Sequence, residues 1–501
     1  MNNIKYHLIG ALTSKPYAFT ARSWELKSVE TIDLFDSLGS NIRVDIRGSE
    51  IMRILPVNNE FINEEWISDK TRFAYDGLKR KRFITPMIKK NNLFVQSSWK
   101  EAFSFIENKW NTEHFNNLVI NTGNFIDLET TTILKEFSSK FDNVIVNHEK
   151  NQNNDLQNNY LLDKELFTPT GNKVYILAGI NLKVENPVLN IKLKRLSQNN
   201  NVLIGYIGPK TISTLNAVHL GNNLEILKNV ITGKHSFSVQ IKNFLKKNLK
   251  NTKINSELKN SVSIILGNDF ENLENSINYL NSLNQLKINN INFDINTLTL
   301  TPGVINTKEL NLFKKGVLDD TKRNFFYLVN SENSNSIKTG DFVVFQGNHN
   351  ENLYNSFDVI LPNVTWVEKS SLYLNCLGHI QKTQFVTLPP AQARSDWKIT
   401  KMLSIFLKKP LTATSVNDIH TKLNELSPAV LNNLSKYNKL NNQKLSLLKE
   451  KLFNFRHTYN NMPLKTILTN YYQTDSISKA SKVMDTCTKT LAINKNNFNK
   501  Y

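Results

Sequence analysis

The stretch Val174-Tyr175-Ile176-Leu177-Ala178-Gly179 is apolar without alternation and closes on a glycine. A strand that reads this way is buried on both faces, which is the habit of parallel strands covered by helices rather than of an open hairpin. The same signature recurs on either side of it. Leu118-Val119-Ile120 precedes Gly123, and Val144-Ile145-Val146 follows. Val202–Gly208 and Val262–Gly267 come next, then Phe325–Val329 and Phe342–Gly347. Strands of this number fit two doubly wound α/β sheets, with segments such as 237–249 and 273–286 as amphipathic helices between them. In such sheets the glycine-ended edge faces ligands or partners.

The flanks read differently. In residues 41–56, Ile42, Val44 and Ile46 alternate with Arg43, Asp45 and Arg47, and Gly48-Ser49 offers a turn before Ile51–Leu55. This predicts a half-buried antiparallel hairpin. After residue 410 leucines fall at helical spacing through Leu423, Leu426, Leu431 and Leu434, and 437–451 is rich in Lys, Leu and Asn. That region reads as an appended helical tail.

The 501 residues exceed one compact core. No apolar run approaches the roughly 18–20 residues that cross a bilayer. Lys plus Arg number 62 against 43 Asp plus Glu, a formal charge of +19. Two readings stay open: AT-rich coding, which favours Asn, Lys and Ile, and a charge-driven partner. For the second, an anionic membrane or an acidic subunit stands ahead of nucleic acid. Residues 1–24 lack any acidic side chain and have the composition of a mitochondrial transit peptide.

Chemistry-bearing motifs are sparse. Cys376 and Cys487 are the only thiols, too few for a four-thiolate iron–sulphur or zinc site. No Gly-x-Gly-x-x-Gly follows a strand, and no phosphate-cradling P-loop occurs. His148 and His349 each follow an apolar run, so ordinary loop polarity and a pocket role are both open. Glu368-Lys369 reads as a local ion pair in an apolar stretch.

Residues 9–82 resemble the large iron–sulphur subunit of respiratory complex I (NADH:ubiquinone oxidoreductase). The resemblance rests on Gly10–Arg22, Ser40-Asn41-Ile42, Met52–Pro56 and the unbroken Ile62–Leu78, and because it starts inside residues 1–24 it argues against a transit peptide there. It persists at Asn159–Leu162, Gly179–Pro187, Asp358–Pro362, Asp396–Ile399 and Thr474–Ser481. It implies a molybdopterin-oxidoreductase-like α/β fold. A small β-rich N-terminal region (1–85) would precede a first doubly wound subdomain (86–165 plus 335–410). A second (166–334) and a helical C-terminal extension (411–501) would complete it.

The resemblance also implies a scaffold of the peripheral arm, active in NADH:ubiquinone reduction only as part of the complex. It implies that no cofactor is bound by this chain, with FMN and the iron–sulphur clusters in partner subunits. Those partners would be a separate ferredoxin-like cluster-bearing half and the NADH/FMN-binding subunit, on the matrix side of the mitochondrial inner membrane and organelle-encoded. Alternatives are an active molybdopterin enzyme and a basic nucleic-acid-binding protein.

The family's last cluster cysteine precedes a Pro-Val-Gly-Ala-Leu-Thr run; here His7 stands at that position, expected to be a relic rather than a metal ligand. No catalytic or cofactor-binding residue is expected. Ser68 replaces the thiolate of the related Cys-x-Lys-Gly-Arg segment. Asn375-Cys376-Leu377-Gly378-His379-Ile380-Gln381 replaces Asn-x-Glu-Gly-Arg-x-Gln, and Gly179-Ile180-Asn181-Leu182 replaces Gly-x-Asn-Pro.

Overall fold

The computed structural model describes residues 14–148, 160–162, 173–198, 202–209, 215–249, 261–267, 270, 292–314, 316, 322–332, 336–349, 354–428, 464 and 470–498. His7, the helix expected at 273–286, Leu431, Leu434 and the 437–451 stretch lie outside them.

Three antiparallel strands open the fold: β1 (Lys27–Ile32), β2 (Asn41–Arg47) and β3 (Glu50–Pro56), in that order across the sheet. The β2–β3 hairpin is the one its alternation predicts. Ile42, Val44 and Ile46 point into a core shared with Phe35, Phe73 and Trp366. A register shift between Asp45 and Ile46 turns Asp45 inward as well. There it accepts from Ser28, Arg43 and Arg53, which hold its carboxyl below the usual range against the cost of burial.

Next come β4 (Met87–Lys90), β5 (Leu93–Gln96), β6 (Leu118–Thr122) and β7 (Val144–His148). The chain then builds a wholly parallel five-stranded sheet. Its strands are β8 (Lys173–Ala178), β9 (Val202–Ile207), β10 (Ala217–Gly221), β11 (Ser261–Leu266) and β12 (Asn292–Thr297), in the order β10-β9-β8-β11-β12. It returns through β13 (Phe325–Val329), β14 (Phe342–Gly347) and β15 (Val359–Pro362) to complete a seven-stranded sheet ordered β5-β4-β15-β14-β13-β6-β7. Every glycine-ended apolar run is a strand of one of these two sheets. Because β13 pairs with β6, Phe325–Val329 belongs to the seven-stranded sheet and the return falls before residue 335. A short hairpin, β16 (Leu372–Leu374) with β17 (Ile380–Lys382), packs beneath the first sheet.

The two doubly wound sheets share one device. Each reverses its strand order once, between β6 and β13 in one and between β8 and β11 in the other. At each reversal a glycine permits backbone contact: a Cβ on Gly123 would stand 1.8 Å from the Asn330 carbonyl oxygen, and one on Gly267 2.1 Å from that of Gly179. Only glycine fits so close an approach. A doubly wound α/β architecture with a small β-rich N-terminal region is what the strands display.

Candidate functional site

The reversal between β6 and β13 gathers a set of buried charges. Asp127 caps the helix Leu128–Ser139, its Oδ1 accepting from the Thr130 amide at 2.7 Å. Asp396 begins the helix Asp396–Phe406. Lys369, which follows the short turn Trp366–Glu368, lies between them, its Nζ 2.5 Å from Asp127 Oδ2 and 2.9 Å from Asp396 Oδ2. All three are buried. Burial alone would strip the charge from Lys369, but Asp127, Tyr373 and Asp396 overcome it and hold the ammonium well above its ordinary range. Burial likewise opposes ionisation of Asp127, and Lys369 and Thr130 hold its carboxyl below the ordinary range nonetheless.

Amides complete the cluster. Gln346 Nε2 donates to Asp396 Oδ1 at 2.9 Å, and Asn363 Nδ2 donates to Asp396 and, at 2.8 Å, to Asn330. Tyr327 on β13 donates to Gln346 and meets the Thr400 hydroxyl at 2.9 Å. Beside them Glu129 accepts from the Leu372 amide at 3.0 Å and faces His420 at 3.2 Å. Burial raises the Glu129 carboxyl above its usual range.

Glu368 and Lys369 are therefore not the local pair that adjacency in sequence predicts. Glu368 instead takes a two-pronged contact from buried Arg82, the Nη2 arm at 2.9 Å. The extended backbone at Lys369 sends the two side chains to different partners. His349 donates from Nε2 to the Gly77 carbonyl at 2.9 Å, and burial together with Arg82 pushes it down to about 3, so it is neutral near pH 7. His148 ends β7 and is fully buried. Both histidines occupy packed positions.

A second polar set ties the N-terminal sheet to the C-terminal helices. Ser68 caps the helix Asp69–Phe73, its Oγ accepting from the Thr71 amide at 3.0 Å. Thr71 Oγ1 donates to Asp33 at 2.5 Å, and Lys70 donates to Thr474 at 2.7 Å beside Asp475. Burial, with Asp36 adjacent, pushes the Asp33 carboxyl up to about 7. Burial also pushes the Cys376 thiol up to about 12. No group of three or more His, Cys, Asp or Glu with metal-holding geometry occurs among the described residues.

The Asn375–Gln381 segment turns inward on the chain itself. Asn375 Oδ1 accepts from the Leu377 and His379 amides at 3.0 and 2.8 Å, and the Cys376 amide donates to Ser37. Gln381 donates to the Gly39 carbonyl at 2.8 Å. Together with the closed Lys369 cluster, these contacts engage many of that edge's polar groups with one another, while Asn121 Oδ1, Thr130 Oγ1 and Asn363 Oδ1 are buried without a hydrogen-bond partner among the described residues.

Residues 82–405 match the molybdopterin oxidoreductase family. Residues 26–76 match the NDSU1/NuoG-like 4Fe-4S domain of NADH-ubiquinone oxidoreductase, and residues 440–487 match a C-terminal region of the same oxidoreductase. Among relatives, the 75 kDa subunit of NADH-ubiquinone oxidoreductase from Reclinomonas americana is 34% identical over 97% of this chain and 72% of its own length. The mitochondrial 78 kDa subunit from Candida albicans is 33% identical over 96% of this chain and 67% of its own. The chain belongs to the 75/78 kDa subunit family of NADH-ubiquinone oxidoreductase.

The 4Fe-4S domain match corrects the expectation that no cofactor is bound by this chain: residues 26–76 have the sequence of a cluster domain, which indicates cluster binding by the chain itself. The matched stretch contains neither cysteine nor histidine, so its side chains do not fit a cysteine-ligated cluster and no ligand is assigned within it. Sequence reading missed Asp127, Asp396, Asn363 and Arg82 as members of the buried centre. An N-cap signature before the helix at 128 marks Asp127, but nothing local marks Lys369, 242 residues away, as its partner.

Proposed function

We propose that the chain is a framework subunit of the NADH-ubiquinone oxidoreductase complex, supporting electron transfer from NADH to ubiquinone, a reaction carried out by the complex. One observation supports this above the others. In the domain that matches molybdopterin oxidoreductases, the sheet edge between β6 and β13 is closed by Lys369 held between Asp127 and Asp396. An edge filled by satisfied internal charges favours rigidity over ligand exchange.

Its partners are other subunits of the complex, the NADH-binding one among them. Its place is peripheral, on the matrix side of the mitochondrial inner membrane. Among the described residues no helix is long and apolar enough to cross a membrane, which agrees with a peripheral position. The Asn- and Lys-rich composition supports organelle encoding. The architecture is proposed to divide at residues 85, 165 and 410, with the second α/β unit ending before Phe325.

Native-gel separation of mitochondrial membranes with mass spectrometry tests the reading. The chain is expected in the NADH-dehydrogenase band, and its absence there sinks the proposal. Stoichiometric molybdenum or tungsten in the purified chain would sink the framework role by itself.

A further inference from the structure

The loop between β1 and β2 is polar and yet buried from end to end, against the habit of loops. It carries Asp33, Asp36, Ser37 and Ser40, none of them more than 3% exposed. The β16–β17 hairpin holds it from outside. The Cys376 amide donates to the Ser37 carbonyl at 2.8 Å, Asn375 Nδ2 to that of Leu38 at 3.2 Å, and Gln381 Nε2 to that of Gly39 at 2.8 Å.

Three oxygen-bearing side chains meet inside this loop. The Asp33 amide donates to the Ser40 carbonyl at 2.8 Å, one step beyond the paired Ile32 and Asn41. Residues opposite one another in an antiparallel ladder send their side chains to the same face, about 5 Å apart at Cβ. Asp36 stands close enough for its charge to add to burial in raising the Asp33 carboxyl. Thr71 Oγ1, itself 2.6 Å from Ser68 Oγ, donates to Asp33 Oδ2 and fixes its direction. Asp36 Oδ1 accepts from the Leu38 amide at 3.0 Å. Asp36 Oδ2 and Ser40 Oγ are buried with no hydrogen-bond partner among the described residues.

Charge is short here as well. The cation that bears on both carboxylates is Lys70, whose ammonium already meets Thr474 at 2.7 Å and Asp475 at 3.6 Å. Two buried carboxylates therefore share one engaged ammonium, and buried charges without compensation are costly. A water molecule would satisfy Asp36 Oδ2 but leave the charge as it is; a metal cation does both. Asp33, Asp36 and Ser40 lie in the stretch that matches a 4Fe-4S domain, but their donors are all oxygen, the ligands that hard cations take.

We propose that Asp33, Asp36 and Ser40 form a site for a hard divalent cation, of the Ca²⁺ or Mg²⁺ class, enclosed beneath the β16–β17 hairpin. The two carboxylates supply the charge, the Ser40 hydroxyl a third oxygen, and Thr71 and Ser68 orient Asp33 from behind.

The test uses the full chain. Its metal content is measured as purified; it is then stripped with a chelator and given Mn²⁺ alone, the bound ion being read from the loss of the free-ion signal in room-temperature electron paramagnetic resonance. About one Ca²⁺ or Mg²⁺ per chain is expected, replaceable by Mn²⁺. Asp36→Asn removes a charge at constant shape and should weaken Mn²⁺ binding about tenfold or more, and Ser40→Ala about threefold or more. Should Asp36→Asn fail to fold, Ser40→Ala reads the site by itself. Unchanged binding in a folded variant, or no bound divalent ion by either measurement, overturns the site. Iron and acid-labile sulphide that disappear with Asp36→Asn overturn it too, because a cluster then occupies these residues. None of these results touches the framework reading, which stands or falls on the presence of the chain in the NADH-dehydrogenase band.

Discussion

At the strand reversal between β6 and β13, Gly123 lies against Asn330, and the space beyond is filled by Lys369, Asp127, Asp396 and their amides. At the reversal between β8 and β11, Gly267 lies against Gly179 and Ile180, and Ile180 packs with Leu298 in one apolar core, both essentially inaccessible. Topology and backbone approach are the same; the filling chemistry is opposite. An apolar filling derives its stability from area and fit, and tolerates small changes in volume. A buried ion cluster derives little net stability from being there, but a great deal is lost when one member is removed. The polar reversal is thus the more brittle of the two, and it links three segments far apart in sequence.

The widest separation between the two should come from Lys369→Met. It leaves Asp127 and Asp396 buried with no cation, at an expected cost of about 3–5 kcal/mol in urea denaturation. Adding Asp127→Asn and Asp396→Asn should recover most of that loss, because the charges then disappear together. Failure of the triple variant to recover would mean that packing, not charge, closes this edge. The pH response follows from the same groups. Asp127 is held below its ordinary range, so its contribution is present above the unfolded carboxylate pKa and is lost as pH falls through the lower folded one. Lys369 is held above its range, so its contribution is full below the unfolded lysine pKa and is lost only as pH rises towards the folded one. Amide exchange of β6 should therefore accelerate in acid before that of β8 does.

Gly123→Ala and Gly267→Ala test what the two reversals share. Each new methyl meets backbone, which cannot swing aside, so each should cost about 1–3 kcal/mol and by similar amounts. A large difference between them would show that one reversal can open its strands and the other cannot.

The two fillings also differ in how far they could be read from sequence. Both sheets were legible, because runs such as Val174–Gly179 and Phe342–Gly347 are continuous and glycine-ended. Strands with a weaker pattern, β10 at a sheet edge and β12 with its alternating Asn292-Phe293-Asp294-Ile295, were not. The ion cluster was half visible. Glu368-Lys369 drew notice as charges in an apolar stretch, but their partners Arg82 and Asp127 come from 286 and 242 residues away. Long-range pairing leaves no trace in local spacing. Cluster chemistry was misjudged for a related reason: counting cysteines assesses donors in one chain, whereas the 4Fe-4S domain match at 26–76 follows from the whole sequence pattern of the domain.

The smallest change sharpens the comparison on the apolar side. Ile180 sits where a Cβ on Gly267 would reach it at 2.8 Å, and it packs with Leu177, Leu182 and Leu298 in one core. Ile180→Val removes a single methyl group from that filling. The expected cost is about 0.5–1.5 kcal/mol, made of lost transfer energy and a cavity the surroundings close only in part. No titratable group takes part, so the cost should be the same at pH 5 and pH 8. If it varies with pH as the Asp127 contribution does, the two reversals are energetically coupled through the strands between them. In that event the opposition of charged and apolar fillings would describe one cooperative unit rather than two.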